Sequence, residues 1–242
     1  MPRFFLDQEQ IGNRFIVLTG EQAAHIKVLR MREGELVTVC NGNGTDYRCR
    51  ISDVSADQIC LVVEHEEPSD AEARVFASVY MAYAKGDKIE YVIQKATELG
   101  AAEILAFPSS RCVVRLDGKT REKKLARWQK IAASAAEQSG RGVIPAVYAL
   151  DSYEAALSRA AQAETALFFY ENEQSHTLSS ALTGELRRVA LVTGPEGGFT
   201  EAEVELARDR GMQICTLGKR ILRCETAPLC ALSAVMFAAG EY

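Results

Sequence analysis

Two glycine loops near the end of the chain have the residue types of a ligand-binding site. The first, GPEGG at 194–198, follows the apolar run Val189–Val192, and the second begins at Gly218 after Ile214–Leu217. Glycine lets backbone N–H and C=O groups approach a flat ligand and adopts positive φ without strain. Open α/β sheets bind ligands at the carboxyl ends of their strands. Two such loops in succession therefore predict a binding site rather than two simple turns.

Neither loop is a phosphate-binding motif. The chain contains no GxxxxGK(S/T) and no GxGxxG, which are the patterns of P-loops and dinucleotide-binding folds. This absence argues against one class of function, a nucleotide-binding oxidoreductase on a Rossmann sheet.

Helices with recognisable ends must position the two loops. Thr200 and Glu203 have the spacing of a capping box, and Gly211 ends the helix that they begin. A second helix is expected after Thr226, with Pro228 in its first turn. Apolar residues on several of its faces suit either a core helix or a subunit interface.

Strands alternate with helices through the larger, C-terminal part of the chain. Strands are expected at Val75–Ala84, Glu103–Phe107 and Thr165–Tyr170, and a long helix at Thr120–Ser139. This alternation predicts a parallel sheet covered on both faces. Because knotted chains are rare, the pattern by itself favours an open Rossmann-like sheet.

The N-terminal part has a different pattern, with short strands separated by turn residues. This pattern predicts a small β-barrel. The expected strands are Phe15–Leu18, Glu35–Cys40, Asp46–Val54 and Gln58–Glu64. The acidic stretch 64–70 has the composition of a linker, so we place the boundary between a domain of residues 1–70 and one of residues 71–242.

Composition and charge narrow the function classes. No apolar run approaches the roughly 20 residues of a membrane helix, and the first ten residues lack the apolar core of a signal peptide, so we expect a cytoplasmic protein without membrane contact. Seven cysteines without a CxxC pair predict reduced thiols and no metal site. A net charge of −5 is unlike a basic nucleic-acid-binding domain, although basic residues cluster locally.

Several segments, in order along the whole chain, resemble the RsmE family of ribosomal RNA methyltransferases. The two glycine loops lie in its signature segments, GPEGGFTEAE (194–203) and LGKRILRCETA (217–227). The other matching segments are HIKVLRMREG (25–34), KGDKIEYVIQKATELG (85–100), SSRCVV (109–114) and RWQKIAASAAEQSGR (127–141).

The resemblance implies an activity and an architecture. The activity is S-adenosylmethionine-dependent methylation of N3 of a uridine in 16S rRNA of the small ribosomal subunit. The architecture is an N-terminal PUA-like β-barrel for RNA and a C-terminal SPOUT domain, an α/β fold with a deep trefoil knot that binds the cofactor and forms a homodimer. A catalytically silent SPOUT-fold protein that docks on ribosomal particles is the alternative, and intact glycine loops argue against it.

The resemblance also assigns three sides to a cofactor pocket. Its residues are Tyr170, Glu171, Thr193, Gly194, Pro195, Glu196, Gly197, Gly198, Leu217, Gly218, Ile221, Leu222, Arg223, Thr226 and Ala227. Leucine and isoleucine side chains with free backbone groups suit an adenine ring. Plain core packing is the other interpretation of Ile221 and Leu222.

Three residues are candidates for the chemistry. Uracil N3 carries a proton that must leave, so Glu196 or Glu225 could act as a base. Arg223 could stabilise the negative charge that develops on the uracil oxygens. For each carboxylate a structural role is an open alternative: loop N–H bonds for Glu196, and the N-terminus of the last helix for Glu225.

Basic residues in or near the matched segments are candidate RNA contacts. They are Arg3, Lys27, Arg30, Arg32, Arg111 and Arg115, with Lys123, Lys124 and Arg141 as further candidates. Two positions depart from the family pattern, Cys224 where threonine is common and Pro228 where small residues are. The Cys224 thiol is a weaker hydrogen-bonding group than a hydroxyl, and we expect it to be inert rather than nucleophilic.

Overall fold

The structure, a computed structural model, describes all residues, 1–242, and divides into two compact units. The first unit comprises Met1–Glu72 and Ala136–Ile144, and the second comprises Ala73–Ala135 and Pro145–Tyr242. None of the helices is long and apolar enough to cross a membrane.

The first unit is built on one five-stranded sheet with the order β1-β3-β4-β5-β2. Its elements are β1 (Arg3–Phe5), β2 (Phe15–Thr19), α1 (Gly20–Val28), β3 (Leu36–Cys40), β4 (Thr45–Val54) and β5 (Gln58–Pro68). Every ladder is antiparallel except the one between β1 and β3. Register shifts between β4 and β5 mark bulges, which bend and twist strands. Phe4, Leu18, Ile26 and Val39 lie in its core.

The linker predicted at 64–70 is wrong for most of its length, because β5 continues to Pro68. Arg48 and Arg50 of β4 lie across from this stretch. They form ion pairs with Glu67 and Glu64, each at 2.6 Å. Opposite charges on neighbouring strands stabilise a ladder. The acidic composition that suggested a solvated linker is thus matched by basic residues of the neighbouring strand.

The second unit is an α/β domain around a six-stranded parallel sheet with the order β11-β9-β10-β6-β7-β8. Its strands are β6 (Phe76–Ala82), β7 (Glu103–Phe107), β8 (Ala146–Ala149), β9 (Thr165–Phe169), β10 (Arg188–Thr193) and β11 (Gln213–Cys215). Its helices are α2 (Lys88–Glu98), α3 (Gly118–Ser139, whose residues from Ala136 onward belong to the first unit), α4 (Tyr153–Ala160), α5 (Leu178–Ala181), α6 (Glu201–Asp209) and α7 (Ala227–Ala238). The parallel sheet predicted from the sequence is confirmed.

Helix ends follow the sequence signals in part. The capping box of Thr200 and Glu203 is present at the start of α6. At α4 the spacing of Asp151 and Glu154 predicts Asp151 as the cap, and this prediction is wrong. The cap is Ser152, whose hydroxyl accepts a hydrogen bond from Ala155 N, and Asp151 forms an ion pair with Arg121.

The last helix returns from the edge of the sheet to its centre. The strand before it, β11, is the edge strand next to β9, whereas α7 packs on β6 and β10 and against α2. The chain must therefore cross back over the carboxyl ends of β9 and β10 after residue 215. Such a return is what a knotted path requires, and the threading itself stays a prediction.

Arg30 has the only positive φ of any residue other than glycine, at 56°. Two hydrogen bonds close α1 around it, from Arg30 N to Lys27 O (2.9 Å) and from Met31 N to Ile26 O (3.2 Å). This is the Schellman arrangement, in which glycine is usual at the position of Arg30.

We expect Arg30→Gly to raise the free energy of unfolding, because a side chain with a Cβ in the left-handed conformation costs about 1 kcal/mol. Urea denaturation would measure the change. Arg32→Gly is the matched control, an exposed arginine two residues on without positive φ, and should not gain stability. An Arg30→Gly protein that is less stable than the wild type would show that the left-handed conformation of Arg30 is not strained.

Candidate active site

The loops that follow β9, β10 and β11 lie side by side at the carboxyl end of the sheet. These strands are hydrogen-bonded neighbours, and Tyr170 N, just past β9, donates to Cys215 O of β11 at 3.0 Å. The structure therefore brings together the three segments assigned to the sides of the cofactor pocket. That they form one cofactor-binding surface stays a prediction.

Each glycine of loop 194–198 sits where a Cβ would come into tight contact with a neighbour. A Cβ at Gly194 would lie 3.1 Å from the Phe199 ring, and one at Gly197 would lie 3.2 Å from Cβ of Arg111. A Cβ at Gly198, which also has a φ of +65°, would lie 2.2 Å from the Glu171 carboxylate. The backbone of the loop is thus closely packed at all three glycines.

An aromatic cluster beneath the loop holds it in place. Phe199 is 1% exposed, and its ring centroid lies 4.3 Å from that of Phe168 and 6.0 Å from that of Tyr153. Aromatic pairs at these separations are worth about 0.5–1.5 kcal/mol beyond their buried area. The residue that ends the glycine loop is therefore anchored in the core.

The second loop is open. Gly218 has a φ of +103° with no neighbour near its missing Cβ, and Ile221 is 87% exposed. The core-packing interpretation of Ile221 is therefore wrong, while Leu222 is partly buried. The backbone N–H groups of 219–223 donate no hydrogen bond within the protein. The loop offers apolar surface and free donors, which are the groups that recognise a planar heterocycle.

Lys88 brings the two loops together, and sequence reasoning missed it. Its Nζ lies 3.0 Å from Oε1 of Glu196, 3.5 Å from Oε2 of Glu225 and 3.7 Å from Sγ of Cys224. Lys88 is the first residue of α2, where the helix dipole disfavours a cation. That mismatch is the signal that could have identified it.

The two candidate bases are held in their ionised form. Burial alone would raise the pKa of the Glu196 carboxyl, but the N–H of Lys85, at 3.0 Å, and the Lys88 ammonium lower it below its usual value. Burial would also raise the pKa of the Glu225 carboxyl. Hydrogen bonds and the positive charge of Lys88 outweigh burial, so the pKa of Glu225 is lowered as well. A carboxylate with a lowered pKa is a weaker base. For Glu196 this geometry supports the structural alternative.

Arg223 and Cys224 differ in what they offer to a ligand. Arg223 is exposed and forms no ion pair or side-chain hydrogen bond within the chain, so its guanidinium is free to meet an anion. Burial raises the pKa of the Cys224 thiol to about 11, so the thiol stays protonated at neutral pH and is a poor nucleophile. The expectation of an inert cysteine agrees with this environment.

The candidate RNA contacts divide into free and occupied side chains. Arg3 needs correction, because it forms an ion pair with Asp46 in which its side chain is only 11% exposed. Lys27 donates to the carbonyl of Ala56, and Arg111 donates to Gly197 O at 2.8 Å. Arg141, a further candidate, is buried against Glu72.

Three of the candidates keep free, exposed guanidinium groups without an ion pair, which are Arg30, Arg32 and Arg115. No group of three or more His, Cys, Asp or Glu side chains is arranged to hold a metal ion.

Comparison with known proteins gives matches along the whole chain. A family model for the RNA methyltransferase domain matches residues 71–236, and one for the PUA domain of RNA methyltransferases matches residues 18–64. The ribosomal RNA small subunit methyltransferase E of Bacillus subtilis (strain 168) is 39% identical, with 98% of this chain and 96% of the relative covered. The protein of that name from Synechocystis is 33% identical over 96% of this chain and 76% of the relative.

Solved structures agree. Ribosomal RNA small subunit methyltransferase E from Neisseria gonorrhoeae, bound to S-adenosyl methionine, has a TM-score of 0.87 at 34% identity, with 98% of this chain and 97% of that chain covered. A putative methyltransferase from Legionella pneumophila, in complex with the same cofactor, has a TM-score of 0.87 at 30% identity over 98% and 97% of the two chains. The sequence, the two domains and the fold place this chain in the family of the ribosomal RNA small subunit methyltransferases E.

Proposed function

We propose that the protein transfers a methyl group from S-adenosylmethionine to N3 of a uridine in 16S rRNA, with the small ribosomal subunit as its substrate in the cytoplasm. One observation carries the proposal: a closely packed glycine loop after β10 and an open loop with free backbone donors after β11 lie at the carboxyl ends of parallel strands that flank β9. Relatives that bind the cofactor and carry the methyltransferase name support it. They give no support to a catalytically silent docking protein.

The residues of the two loops fit the cofactor. The free N–H groups of 219–223 match the hydrogen-bonding edge of adenine, and the exposed Ile221 side chain matches its face. The tight packing of loop 194–198 presents backbone rather than side chains to the ligand. The bound cofactor would supply a methyl group on a positively charged sulfur.

The side chains around the site have separate roles in the reaction. Arg223 stabilises the charge that develops on the uracil oxygens as N3 loses its proton. Glu196 orients the glycine loop, since its Oε1 already accepts from Lys85 N and Lys88 Nζ. Glu225 is then the carboxylate left to receive the proton; Lys88 beside it keeps it ionised, and its lowered pKa limits its strength as a base.

The direct test is methyl transfer from labelled S-adenosylmethionine to small subunits that lack the modification, followed by nucleoside analysis. N3-methyluridine is the expected product. Naked 16S RNA serves as the comparison and should be the poorer substrate, because an acidic protein gains recognition from the shape of a structured target. Label on another nucleoside, or none, would refute the proposed reaction.

For Arg223→Ala we expect kcat to fall by roughly 100-fold, the usual effect of removing one electrostatic donor. Arg220→Ala is the matched control, because Arg220 is an exposed arginine three residues away, and its kcat should stay near that of the wild type. Single-turnover methylation of subunits measures both. An equal fall in kcat in the two variants would show that Arg223 has no specific role in the reaction.

Glu225→Gln should lower kcat by about 100-fold, the scale of general base catalysis, while the affinity for S-adenosylmethionine is retained. Titration calorimetry and rate measurements separate the two effects. Because the folded pKa of Glu225 lies below its usual value, the wild-type rate should not fall until the pH drops below that usual range. A Glu225→Gln enzyme with the wild-type rate would show that Glu225 is not the base and that solvent removes the proton.

We also propose a homodimer formed through α7. This helix is apolar all round, yet Phe237 is 74% exposed and Tyr91 of the adjacent α2 is 48% exposed. Large exposed apolar side chains on two packed helices are typical of an interface. The same helix begins directly after the open loop at Thr226, so a partner on it would brace the cofactor site.

Phe237→Glu should therefore convert the dimer to a monomer in light scattering and weaken cofactor binding. Val28→Glu, at an apolar side chain of the first unit that is 77% exposed, is the control and should leave the dimer intact. A monomeric Phe237→Glu protein with full cofactor affinity would show that the interface does not support the cofactor site.

A further inference from the structure

A second cavity lies in the second unit, beside the glycine loop and apart from the proposed cofactor surface. Its volume is about 320 Å³, and Tyr83, Pro108 and Leu150, which line it, follow β6, β7 and β8 directly. The cavity is therefore at the carboxyl end of the other half of the sheet. No role has been given to it so far.

The segments that form this cavity also hold the glycine loop. Two residues after Tyr83, Lys85 N donates to Oε1 of Glu196 at 3.0 Å. Arg111, in the loop that follows Pro108, donates to Gly197 O at 2.8 Å. The adjacent Ser110 N donates to Oε1 of Glu203 at 2.8 Å, at the start of α6. These bonds fix the distance between the cavity and the site proposed for the methyl donor.

The floor of the cavity is rigid and its wall is partly apolar. Tyr83 N donates to Phe107 O at 2.8 Å, Leu150 N donates to Ala106 O at 2.8 Å, and the Tyr83 hydroxyl donates to Leu150 O at 3.3 Å. Val114 and Leu116 supply apolar side chains. Such a surface suits the face of a planar ring.

Polar and cationic groups complete the lining. Ser109 and Ser110 lie on one side. Arg115, which is exposed and without an ion pair, and Arg121, which is paired with Asp151, lie on another. Hydroxyl and backbone groups can recognise uracil oxygens, and a free guanidinium suits a phosphate. The chemistry of the lining is that of a nucleotide site.

We propose that this cavity receives the target uridine, with the base against Tyr83, Val114 and Leu116 and its phosphate at Arg115. The inference rests on the proposed function. N3 lies on the pairing edge of uracil, so the base must be unpaired before the methyl donor can reach N3, and enzymes that modify bases place the extruded base in a closely fitting pocket. The short, hydrogen-bonded connection to the glycine loop puts this pocket next to the methyl donor.

Filling the cavity is the sharpest test. Leu116→Trp and Val114→Trp each add a large ring to its wall. Val113→Trp is the matched control, because Val113 is in the same loop but 70% exposed and not part of the lining. We expect both cavity variants to lose methyl transfer to small subunits by about 100-fold, as expected for a displaced substrate, and to keep their affinity for S-adenosylmethionine. The control should retain its activity.

Two outcomes would overturn the inference. Cavity variants as active as Val113→Trp would show that no base enters. Cofactor affinity lost in parallel with activity would make the cavity part of the cofactor site.

A binding experiment that does not depend on turnover keeps the inference separate from the proposed function. The probe is 4-thiouridine 5′-monophosphate, cross-linked by light to the wild-type protein and mapped by mass spectrometry. We expect cross-links within residues 108–121 that are lost in Leu116→Trp and retained in Val113→Trp. Cross-links elsewhere would refute the site. An inactive wild type that still cross-links there would refute the reaction alone.

Discussion

The hydrogen bonds around loop 194–198 are the constraint on which the rest of the site depends. This loop follows β10, the strand between β9 and β6 in the sheet, and it is hydrogen-bonded to the segments that follow β6 and β7. Lys85 N reaches Glu196 from the end of β6, and Arg111 reaches Gly197 from the loop after β7. Each exposed bond contributes little energy by itself. Together they fix where this loop lies relative to the two segments that follow β6 and β7.

That constraint explains why the loop consists of glycines at three positions. Phe199, Arg111 and Glu171 each lie close to the position that a Cβ would take. Arg111 also holds the backbone, because it donates to Gly197 O. A loop with side chains would stand away from them and lose the fixed geometry that methyl transfer between two bound molecules requires.

The sequence predicted the elements better than the contacts between them. The strand Glu103–Phe107 and the capping box at α6 depend on residues close together in the chain, and both are as expected. The contact of Lys88 with Glu196 joins residues 108 positions apart, and no local pattern contains it. The prediction of a linker at 64–70 was wrong for the same reason, because the arginines that neutralise its acidic residues belong to β4.

Completion of the site depends on the last segment of the chain. Lys88 at the start of α2 meets Glu196 from one loop and Glu225 from the other. Glu225 can reach it only when residues 217–225 have crossed the carboxyl end of the sheet and α7 has packed on β6 and β10. Packing of the apolar α7 therefore drives the formation of the charged cluster. The open loop is held at Lys88 and at α7, whereas the backbone N–H groups of 219–223 between them are unpaired. A cofactor bound to these groups would therefore be held by a segment that takes its position only when the whole domain has folded.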